Sequence, residues 1–387
     1  MQCPSCGADE QDLWRYCESC GTPLKEDSPH DQTVTVTVSS LSSSSSSSSV
    51  SSSSISSSVT SVTVSDEATH RSASVSTHST VILCRCGAGP DQRDAQGFCE
   101  ACGLLVTSME HAVSNGDHKE IALSPGFAAV TDIGKRHRTN QDDVAIATYE
   151  IDGKTIYVIA VCDGLSSSCA AEAASSTAAK TACDSLLAVA KSSPATEDLP
   201  KLVEEAIMKA HQAVCAVKFT PVPGKDGPAT TIVAAIVRDG IATIGWVGDS
   251  RAYLISDGFS AMLSHDHSWV NAMVDSGQMS QAEAEASPEA HVIIQCLGPV
   301  TDEDGSLAED PEPSVTTTVL PAGGYLLLCS DGLWNFVPEA DQIAALLKGI
   351  NSDAEALDVS RILVGHANAC GGRDNITAAI LQLDRKV

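Results

Sequence analysis

Apolar and polar residues follow two different spacings from residue 126 onward. Runs of about four to eight apolar residues bounded by Gly, Asp or Ser are typical of buried strands, whereas apolar residues repeated along one face are typical of helices. The predicted strands are 126–132, 144–151, 155–163, 230–240, 241–250, 251–258, 325–329 and 376–383. The predicted helices are 169–190, 199–217, 269–276 and 280–286, with two more between the last two strands.

The order of these elements indicates a fold class. Strand pairs alternate with helix pairs, and the pattern lacks the strict one-to-one alternation of a parallel α/β fold. Asp239-Gly240, which separates two apolar runs, is typical of a tight hairpin turn. The sequence therefore predicts an α+β fold in which helices cover the outer faces of antiparallel sheets.

Five aspartates lie at the rims of apolar runs, where strands are expected to end: Asp142, Asp163, Asp249, Asp331 and Asp374. Gathering these carboxylates costs on the order of several kcal/mol per unpaired charge unless a cation neutralises them. No lysine neighbours Asp163, Asp249 or Asp331 in the sequence, which indicates a metal ion. Ligation by oxygen alone favours Mg²⁺ or Mn²⁺. The alternative for each Asp-Gly pair is an ordinary turn.

A set of short motifs argues against that alternative, because turn preferences do not require them or their order. They are TDIGKRHRTNQDD, VCDGLSSS, ATTIVAAI, WVGDSRAYL, LSHDHSW, LLCSDGLWNFV and GGRDNITAA. Between residues 126 and 383 this ordered set resembles the metal-dependent serine/threonine protein phosphatases of the protein phosphatase 2C family, especially its bacterial branch. The resemblance implies a four-layer αββα sandwich and hydrolysis of phosphoserine and phosphothreonine in proteins. It also implies phosphorylated protein substrates and a serine/threonine kinase system as partners.

The resemblance also implies roles for individual residues around two, or three, Mn²⁺ or Mg²⁺ ions. Asp163 and the backbone carbonyl of Gly164 would bridge two ions, and Asp331 and Asp374 would hold one of them. Asp142 would support the site. Asp249 would bind a weaker third ion.

The phosphate contact departs from the family pattern. The family usually places an arginine three residues after the position of Gly134, where this chain has His137 between Arg136 and Arg138. If this segment is extended, the two arginines share one face and His137 lies on the other. Because a bidentate guanidinium fits phosphate better than an imidazole does, we expect Arg136 or Arg138 to bind it. The alternative is a solvated basic turn.

Two further departures concern the metal ions and the leaving group. Gln141 stands where relatives often carry Glu, which predicts weaker binding of the second ion. Many relatives have a histidine shortly after the Asp-Gly motif, where this chain has Ser166, Ser167 and Ser168. The leaving alcohol would then be protonated by His137 or by a metal-bound water. The three serines are expected to cap the following helix.

Three other polar residues near these motifs are expected to be structural. His265 and His267 are interpreted as hydrogen-bonding residues rather than metal ligands, because oxygen chemistry already accounts for the site. Asn375 is expected to stabilise a turn or support the ligands.

Eight of the fifteen cysteines form two quartets; the first has the spacing of a structural zinc site, and the second departs from it because only one residue separates Cys84 from Cys86. These residues are Cys3, Cys6, Cys17 and Cys20, then Cys84, Cys86, Cys99 and Cys102. Each quartet predicts one structural Zn²⁺, with a redox pair or a disulfide as the alternative. The other seven, from Cys162 to Cys370, are interpreted as small core side chains.

The predicted domains are a zinc ribbon at 1–26, a Ser-rich disordered linker at 27–80, a second zinc-ribbon-like module at 81–109 and a catalytic domain at 121–387. The linker prediction depends on composition, because 19 of the 27 residues from 39 to 65 are serine. Such a segment buries too little apolar surface to offset the entropy lost on ordering.

The net charge of −27 argues against nucleic acid or an anionic membrane as partners, since both are bound by excess Lys and Arg. The sequence shows no basic-then-apolar leader and no apolar run near the roughly 20 residues that span a bilayer. A cytoplasmic protein is therefore expected. The alternatives to an enzyme are a phosphatase-like sensor or scaffold, and zinc ribbons that read nucleic acid, which the acidic excess in 1–26 opposes.

Overall fold

The computed structural model describes residues 111–114, 117–192, 194–256, 258–300, 309–350 and 354–383. The predicted zinc ligands, the Ser-rich linker and both zinc modules lie outside these residues. No helix of the described part is long and apolar enough to cross a membrane.

Seven strands form the larger sheet. They are β1 His111–Ser114, β2 His118–Ser124, β3 Phe127–Asp132, β8 Arg251–Ser256, β9 Phe259–Met262, β11 Tyr325–Cys329 and β12 Ile376–Gln382. Their order is β1-β2-β3-β12-β11-β8-β9, and every neighbouring pair is antiparallel. This sheet therefore begins ahead of residue 121.

Five strands form the second sheet, which is also antiparallel. They are β4 Asp142–Ile151, β5 Lys154–Asp163, β6 Ile232–Arg238, β7 Ile241–Val247 and β10 Ser314–Val319, in the order β10-β7-β6-β5-β4. The predicted hairpin between β6 and β7 is confirmed. Asp239 and Gly240 have φ angles of 53° and 72°, the left-handed pair that a type I′ turn requires.

Two pairs of helices cover the outer faces of the sheets. They are α1 Ala171–Ser192 and α2 Leu199–Cys215 on one sheet, and α6 Ala340–Leu347 and α7 Ala356–Ala369 on the other. Three shorter helices are α3 Trp269–Asp275, α4 Gln281–Glu285 and α5 Asp331–Trp334. One apolar cluster packs α1 and α2 on the five-stranded sheet, a second joins the two sheets, and a third packs α6 and α7 on the seven-stranded sheet. The α+β prediction and its four layers are confirmed.

Several strands escaped prediction for a common reason. β2 and β10 are only partly buried along their lengths, so their apolar residues do not form the uninterrupted runs that mark a buried strand. β10, with the sequence SVTTTV, is the edge strand beside β7.

Two predictions about small residues are wrong. Cys215 and Cys370 are exposed rather than buried, because each lies at a helix end where the chain turns toward solvent. Ser166, Ser167 and Ser168 do not cap α1, which begins only at Ala171. The Ser168 hydroxyl donates to the Leu165 carbonyl and accepts from Ala229 N, which ties two loops together instead.

Candidate active site

The predicted carboxylates come together where the ends of the two sheets meet. Asp142 and Asp163 face each other as register partners at the end of the β4–β5 pair. Asp331 follows β11 and Asp374 precedes β12, two neighbouring strands of the other sheet. Asp249 follows β7, and desolvation, followed by the negative charge of Asp331, raises its pKa well above the usual range. Strand ends of both sheets thus converge on one cleft.

The Asp163 main chain is held firmly by β6. Its carbonyl accepts hydrogen bonds from Thr230 Oγ1 and Thr231 N, both at 2.8 Å. Gly164 N donates to the Gln141 carbonyl at 3.1 Å, and a Cβ at Gly164 would lie 2.6 Å from the Ala171 carbonyl. A glycine is therefore required where the chain leaves Asp163.

Among the five aspartates of the cleft, Asp142 is the one whose whole residue is buried, with 5% of its surface exposed. Its Oδ2 accepts hydrogen bonds from Ser330 Oγ at 2.6 Å and Thr377 Oγ1 at 2.7 Å. Its Oδ1 has no partner in the described part of the chain. Burial raises the pKa of Asp142 to about 7, although the two hydroxyl donors oppose the shift.

The pKa values of the neighbouring carboxylates are raised as well. Desolvation and the charge of Asp374 raise the pKa of Asp331 to about 7. Desolvation, followed by the charges of Asp142 and Asp331, raises the pKa of Asp163 well above its usual range. The Asp374 side chain keeps 40% of its surface exposed and lies at the open mouth of the cleft. A cation is the missing partner that would relieve this mutual repulsion.

The donor set fits a hard divalent cation. Asp249 Oδ1 and Asp331 Oδ1 are buried without a hydrogen-bond partner among the described residues, as is Asp142 Oδ1. Within the same residues, no three His, Cys, Asp or Glu side chains form a ready-made metal cage. Mg²⁺ keeps several water ligands and needs only one or two carboxylates, so an open cleft of carboxylate oxygens suits it.

The loop from 133 to 141 is fixed over the mouth of this cleft. Asn375 Oδ1 accepts from Gln141 N at 2.7 Å, and its Nδ2 donates to the Ile133 and Thr139 carbonyls at 2.8 and 3.2 Å. Gly134 has a φ of 76°, and a Cβ there would lie 2.1 Å from the Asp374 carbonyl. The interpretation of Asn375 as a turn-stabilising residue is confirmed.

This loop brings His137 to the carboxylates. The segment is a turn rather than an extended strand, so the condition under which His137 and the two arginines would lie on opposite faces is not met. His137 Nε2 lies 3.1 Å from Asp374 Oδ1. Burial, and then the positive charge of Arg136, lower the pKa of His137. Arg136 is half-buried and Arg138 is exposed.

Gln141 and Ser166, the two positions that depart from the family pattern, contact each other. Ser166 Oγ donates to Gln141 Oε1 at 2.6 Å. Lys225 Nζ in turn donates to the Ser166 carbonyl at 2.8 Å. The loop after Asp163-Gly164 is thus held against the loop before Asp142.

His265 and His267 make the structural hydrogen bonds that were expected. His265 Nε2 lies 2.8 Å from Asp275 Oδ2, and His267 Nε2 lies 2.9 Å from Ser314 Oγ. His267 Nδ1 accepts from Gly248 N at 3.4 Å, which braces the turn before Asp249.

Sequence reasoning missed the hydroxyl groups that orient the carboxylates. Thr377 interrupts an otherwise apolar buried strand, and Ser330 directly follows one. A polar residue inside a buried run was the available signal, because such a group must find a hydrogen-bond partner.

Comparisons with known proteins identify the family of this chain. The family model described as Protein phosphatase 2C matches residues 133–361, more than half of the chain. Serine/threonine phosphatase stp of Listeria innocua is 30% identical over 254 residues, covering 65% of this chain and 93% of that protein. Protein phosphatase PhpP of Streptococcus pneumoniae is 34% identical over 160 residues, covering 41% of this chain and 60% of PhpP.

Solved structures show the same likeness. The serine/threonine phosphatase of S. agalactiae superimposes with a TM-score of 0.52 at 27% identity, covering 66% of this chain and 98% of its own. The Mycobacterium tuberculosis serine/threonine phosphatase PstP/Ppp gives a TM-score of 0.52 at 26% identity, covering 67% and 98%. With its fold, its carboxylate cleft and these relatives, the chain belongs to the protein phosphatase 2C family and is a serine/threonine protein phosphatase.

Proposed function

We propose that this chain hydrolyses phosphoserine and phosphothreonine in proteins with the help of two Mg²⁺ or Mn²⁺ ions in the carboxylate cleft. The observation that carries this proposal is the set of buried carboxylate oxygens that lack a hydrogen-bond partner among the described residues, on Asp142, Asp249 and Asp331. When bound, two such ions supply an activated water and neutralise phosphoryl oxygens.

The resemblance assigns the residues that would hold the ions. Asp163, the Gly164 carbonyl, Asp331 and Asp374 would hold the two ions. Asp142 supports the cleft, and Asp249 would serve a third ion. Gln141 has no charge, and its Oε1 already accepts the Ser166 hydroxyl, so it adds little to the affinity for the second ion.

The phosphate group is proposed to contact the basic loop at the mouth. Arg136 is half-buried beside His137, and Arg138 lies exposed on the same turn. A guanidinium presents two parallel donors to a phosphate, which Lys135 cannot do. Arg136 is therefore the first candidate for the clamp and Arg138 the second.

His137 is the proposed acid for the leaving alcohol, in place of the histidine that follows Asp-Gly in many relatives. Its Nε2 contacts Asp374 at 3.1 Å at the open end of the cleft. Burial, and then the charge of Arg136, lower its pKa, so the protonated imidazole is a stronger acid than a fully solvated one.

The cysteine quartets are proposed to be zinc ribbons at 1–26 and 81–109 that recruit phosphorylated protein substrates, with a kinase system as the opposing activity. A flexible tether raises the local concentration of a bound substrate without altering the catalytic centre. The catalytic domain, predicted at 121–387, is proposed to begin instead near residue 111, because β1 and β2 are strands of its larger sheet.

The test is hydrolysis of a phosphothreonine peptide with and without Mn²⁺ by the wild type and by Asp163→Ala. We expect the variant to lose more than tenfold in rate and to bind fewer Mn²⁺ ions by calorimetry. The matched control is Asp184→Ala, because Asp184 is exposed on α1 and pairs with Lys180 there. Equal activity of Asp163→Ala and wild type at saturating Mn²⁺ would count decisively against the proposal.

The acid role of His137 has its own readout. His137→Gln should slow peptide substrates, whose alkoxide leaves poorly, far more than an aryl phosphate, whose phenolate needs no proton. Arg136→Ala should instead raise KM for both substrates. Equal slowing of peptide and aryl phosphate by His137→Gln would exclude the acid role.

A further inference from the structure

A strongly acidic stretch of chain lies beside the active site. From Ala252 to Leu347 the sequence contains fifteen Asp or Glu residues and no Lys or Arg. It includes α3, α4 and the segment that leads to β10. Nine of the acids that the structure describes are exposed, namely Asp275, Glu283, Glu285, Glu289, Glu309, Asp310, Glu312, Glu339 and Asp341. The loop from 133 to 141, in contrast, is basic.

A groove of about 650 Å³ opens in this stretch. Ile293, Ile294 and Val300 contribute its apolar side, and Glu309, Asp310 and Glu312 contribute its acidic side. The Ile294 side chain is 49% exposed, and Val292 beside it is 46% exposed. An apolar surface with acids along one edge suits side chains that are themselves apolar along the stem and positive at the tip.

The groove walls are fixed to one another and to the protein core. Glu312 N donates to Gln295 Oε1 at 2.8 Å. Gly298 N donates to His211 Nδ1 at 3.2 Å, and His211 Nε2 lies 3.3 Å from Asp310 Oδ1. The acids of the far wall are therefore held in place opposite the apolar wall.

The segment that lines the groove is linked to the catalytic centre through hydrogen bonds of buried residues. Leu297 lies between two lining residues, Cys296 and Gly298, and exchanges both backbone hydrogen bonds with Thr230. Thr230 Oγ1 donates to the Asp163 carbonyl at 2.8 Å. The lining segment is thus two hydrogen-bonded steps from Asp163.

We propose that this groove binds the peptide segment next to the phosphorylated residue and selects Lys or Arg there, which rests on the proposed hydrolysis of phosphoproteins. Charge complementarity between the acidic groove and a basic peptide is the reason for this choice of partner. The three acids repel a second phosphate or an acidic segment, and the stretch that carries them contains no Lys or Arg. A substrate with basic flanks supplies that charge while its phosphate meets the arginines of the basic loop.

The test compares two phosphopeptides that differ only in their flanks, which are Arg and Lys in one and Gln in the other. We expect wild type to prefer the basic peptide by about 3- to 10-fold in kcat/KM at low salt, as two exposed charge pairs provide, with the preference fading at high salt. The double variant Glu309→Gln, Glu312→Gln should have nearly equal kcat/KM values for the two peptides. The matched control is Glu197→Gln with Glu204→Gln, two exposed acids near the start of α2, which should keep the wild-type ratio.

Equilibrium binding of the same peptides, measured by fluorescence anisotropy, separates this proposal from the proposed function. A binding preference without Mn²⁺-dependent turnover supports the groove and counts against the hydrolysis. Equal binding of both peptides by wild type overturns the groove whatever the turnover. A concentration-dependent dimer that the double variant abolishes, without any preference for the basic peptide, would assign the groove to a second copy and also overturn the proposal.

Discussion

Replacing Thr377 by Val isolates the role of the hydroxyl groups that orient the carboxylates. Thr377 is fully buried on β12 and faces Thr131 of β3 as its register partner. Its Oγ1 lies 2.7 Å from both Asp142 Oδ2 and Thr131 Oγ1. Val has nearly the same shape, so Thr377→Val removes the hydrogen bonds without opening a cavity.

The expected loss in the free energy of unfolding follows from the hydrogen bonds that Thr377→Val removes. A hydrogen bond to a charged group contributes about 1.5–3 kcal/mol, and a buried hydroxyl without a partner costs about 1–3 kcal/mol. Because Asp142 keeps its Ser330 donor and the Thr131 hydroxyl keeps its Asn140 donor, we expect a total loss of about 2–4 kcal/mol in the free energy of unfolding. The pKa of Asp142 should rise further, which weakens Mn²⁺ binding near neutral pH.

The fold offers a matched control on the other sheet. Thr243 is also fully buried, faces Thr317 as its register partner and lies 3.2 Å from its hydroxyl, without a carboxylate in contact. Thr243→Val should cost only about 0.5–1.5 kcal/mol. Urea unfolding of both variants, with and without Mn²⁺, together with Mn²⁺ titration by calorimetry, measures the difference. If Thr377→Val costs no more than Thr243→Val and binds Mn²⁺ as wild type does, the orienting role is refuted.

Three further predictions concern the pH dependence of stability, the charge of His118 and the role of residues 1–109. Without metal, the free energy of unfolding should fall as the pH rises from about 4 to 8, because Asp142 and Asp331 keep their protons to about pH 7 in the folded protein but lose them near pH 4 when unfolded. A free energy of unfolding that does not change with pH in urea titrations would contradict this. Added Mn²⁺ should reverse the sign of the pH dependence. His118→Gln should destabilise the protein more at pH 6 than at pH 9. Burial lowers the pKa of His118, but contacts with Glu120 and Asp132 outweigh it and raise the pKa, so the stabilisation is complete below pH 6.5 and is lost above the raised value; equal costs at both pH values would exclude a charged His118. Deleting residues 1–109 should remove stoichiometric zinc and slow only protein substrates, whereas parallel loss on an aryl phosphate with a lower melting temperature would indicate a stabilising role.

The sequence predicted the positions of the carboxylates because each aspartate borders an apolar run that is long enough to be a strand. Asp163 after YVIAVC and Asp331 after YLLLCS are both at strand ends in the structure. Periodicity also located the large helices α1 and α2 to within a few residues. Burial on both faces makes such strands easy to recognise.

The contacts that complete the site were beyond local patterns. Thr377 and Asp142 are separated by 235 positions in the chain, and Ser330 and Asp142 by 188. The approach of His137 to Asp374 depends on a tight turn at Gly134 and on three hydrogen bonds from Asn375. A sequence read locally shows that these residues are polar, but their partners are set by how the two sheets pack.

The two oxygens of Asp142 and of Asp331 differ in their hydrogen bonding. In Asp142 the donors from Ser330 and Thr377 both reach Oδ2, and in Asp331 the Asn335 amide reaches Oδ2, whereas Oδ1 of each is buried without a partner in the described residues. One oxygen of each carboxylate is thus used to orient the group, and the other is left to face the cleft. A protein hydrogen bond on both oxygens would stabilise the metal-free fold but would reduce affinity for a cation. The stability of the domain should therefore be coupled to metal concentration, since an ion that binds only the folded state stabilises it by mass action.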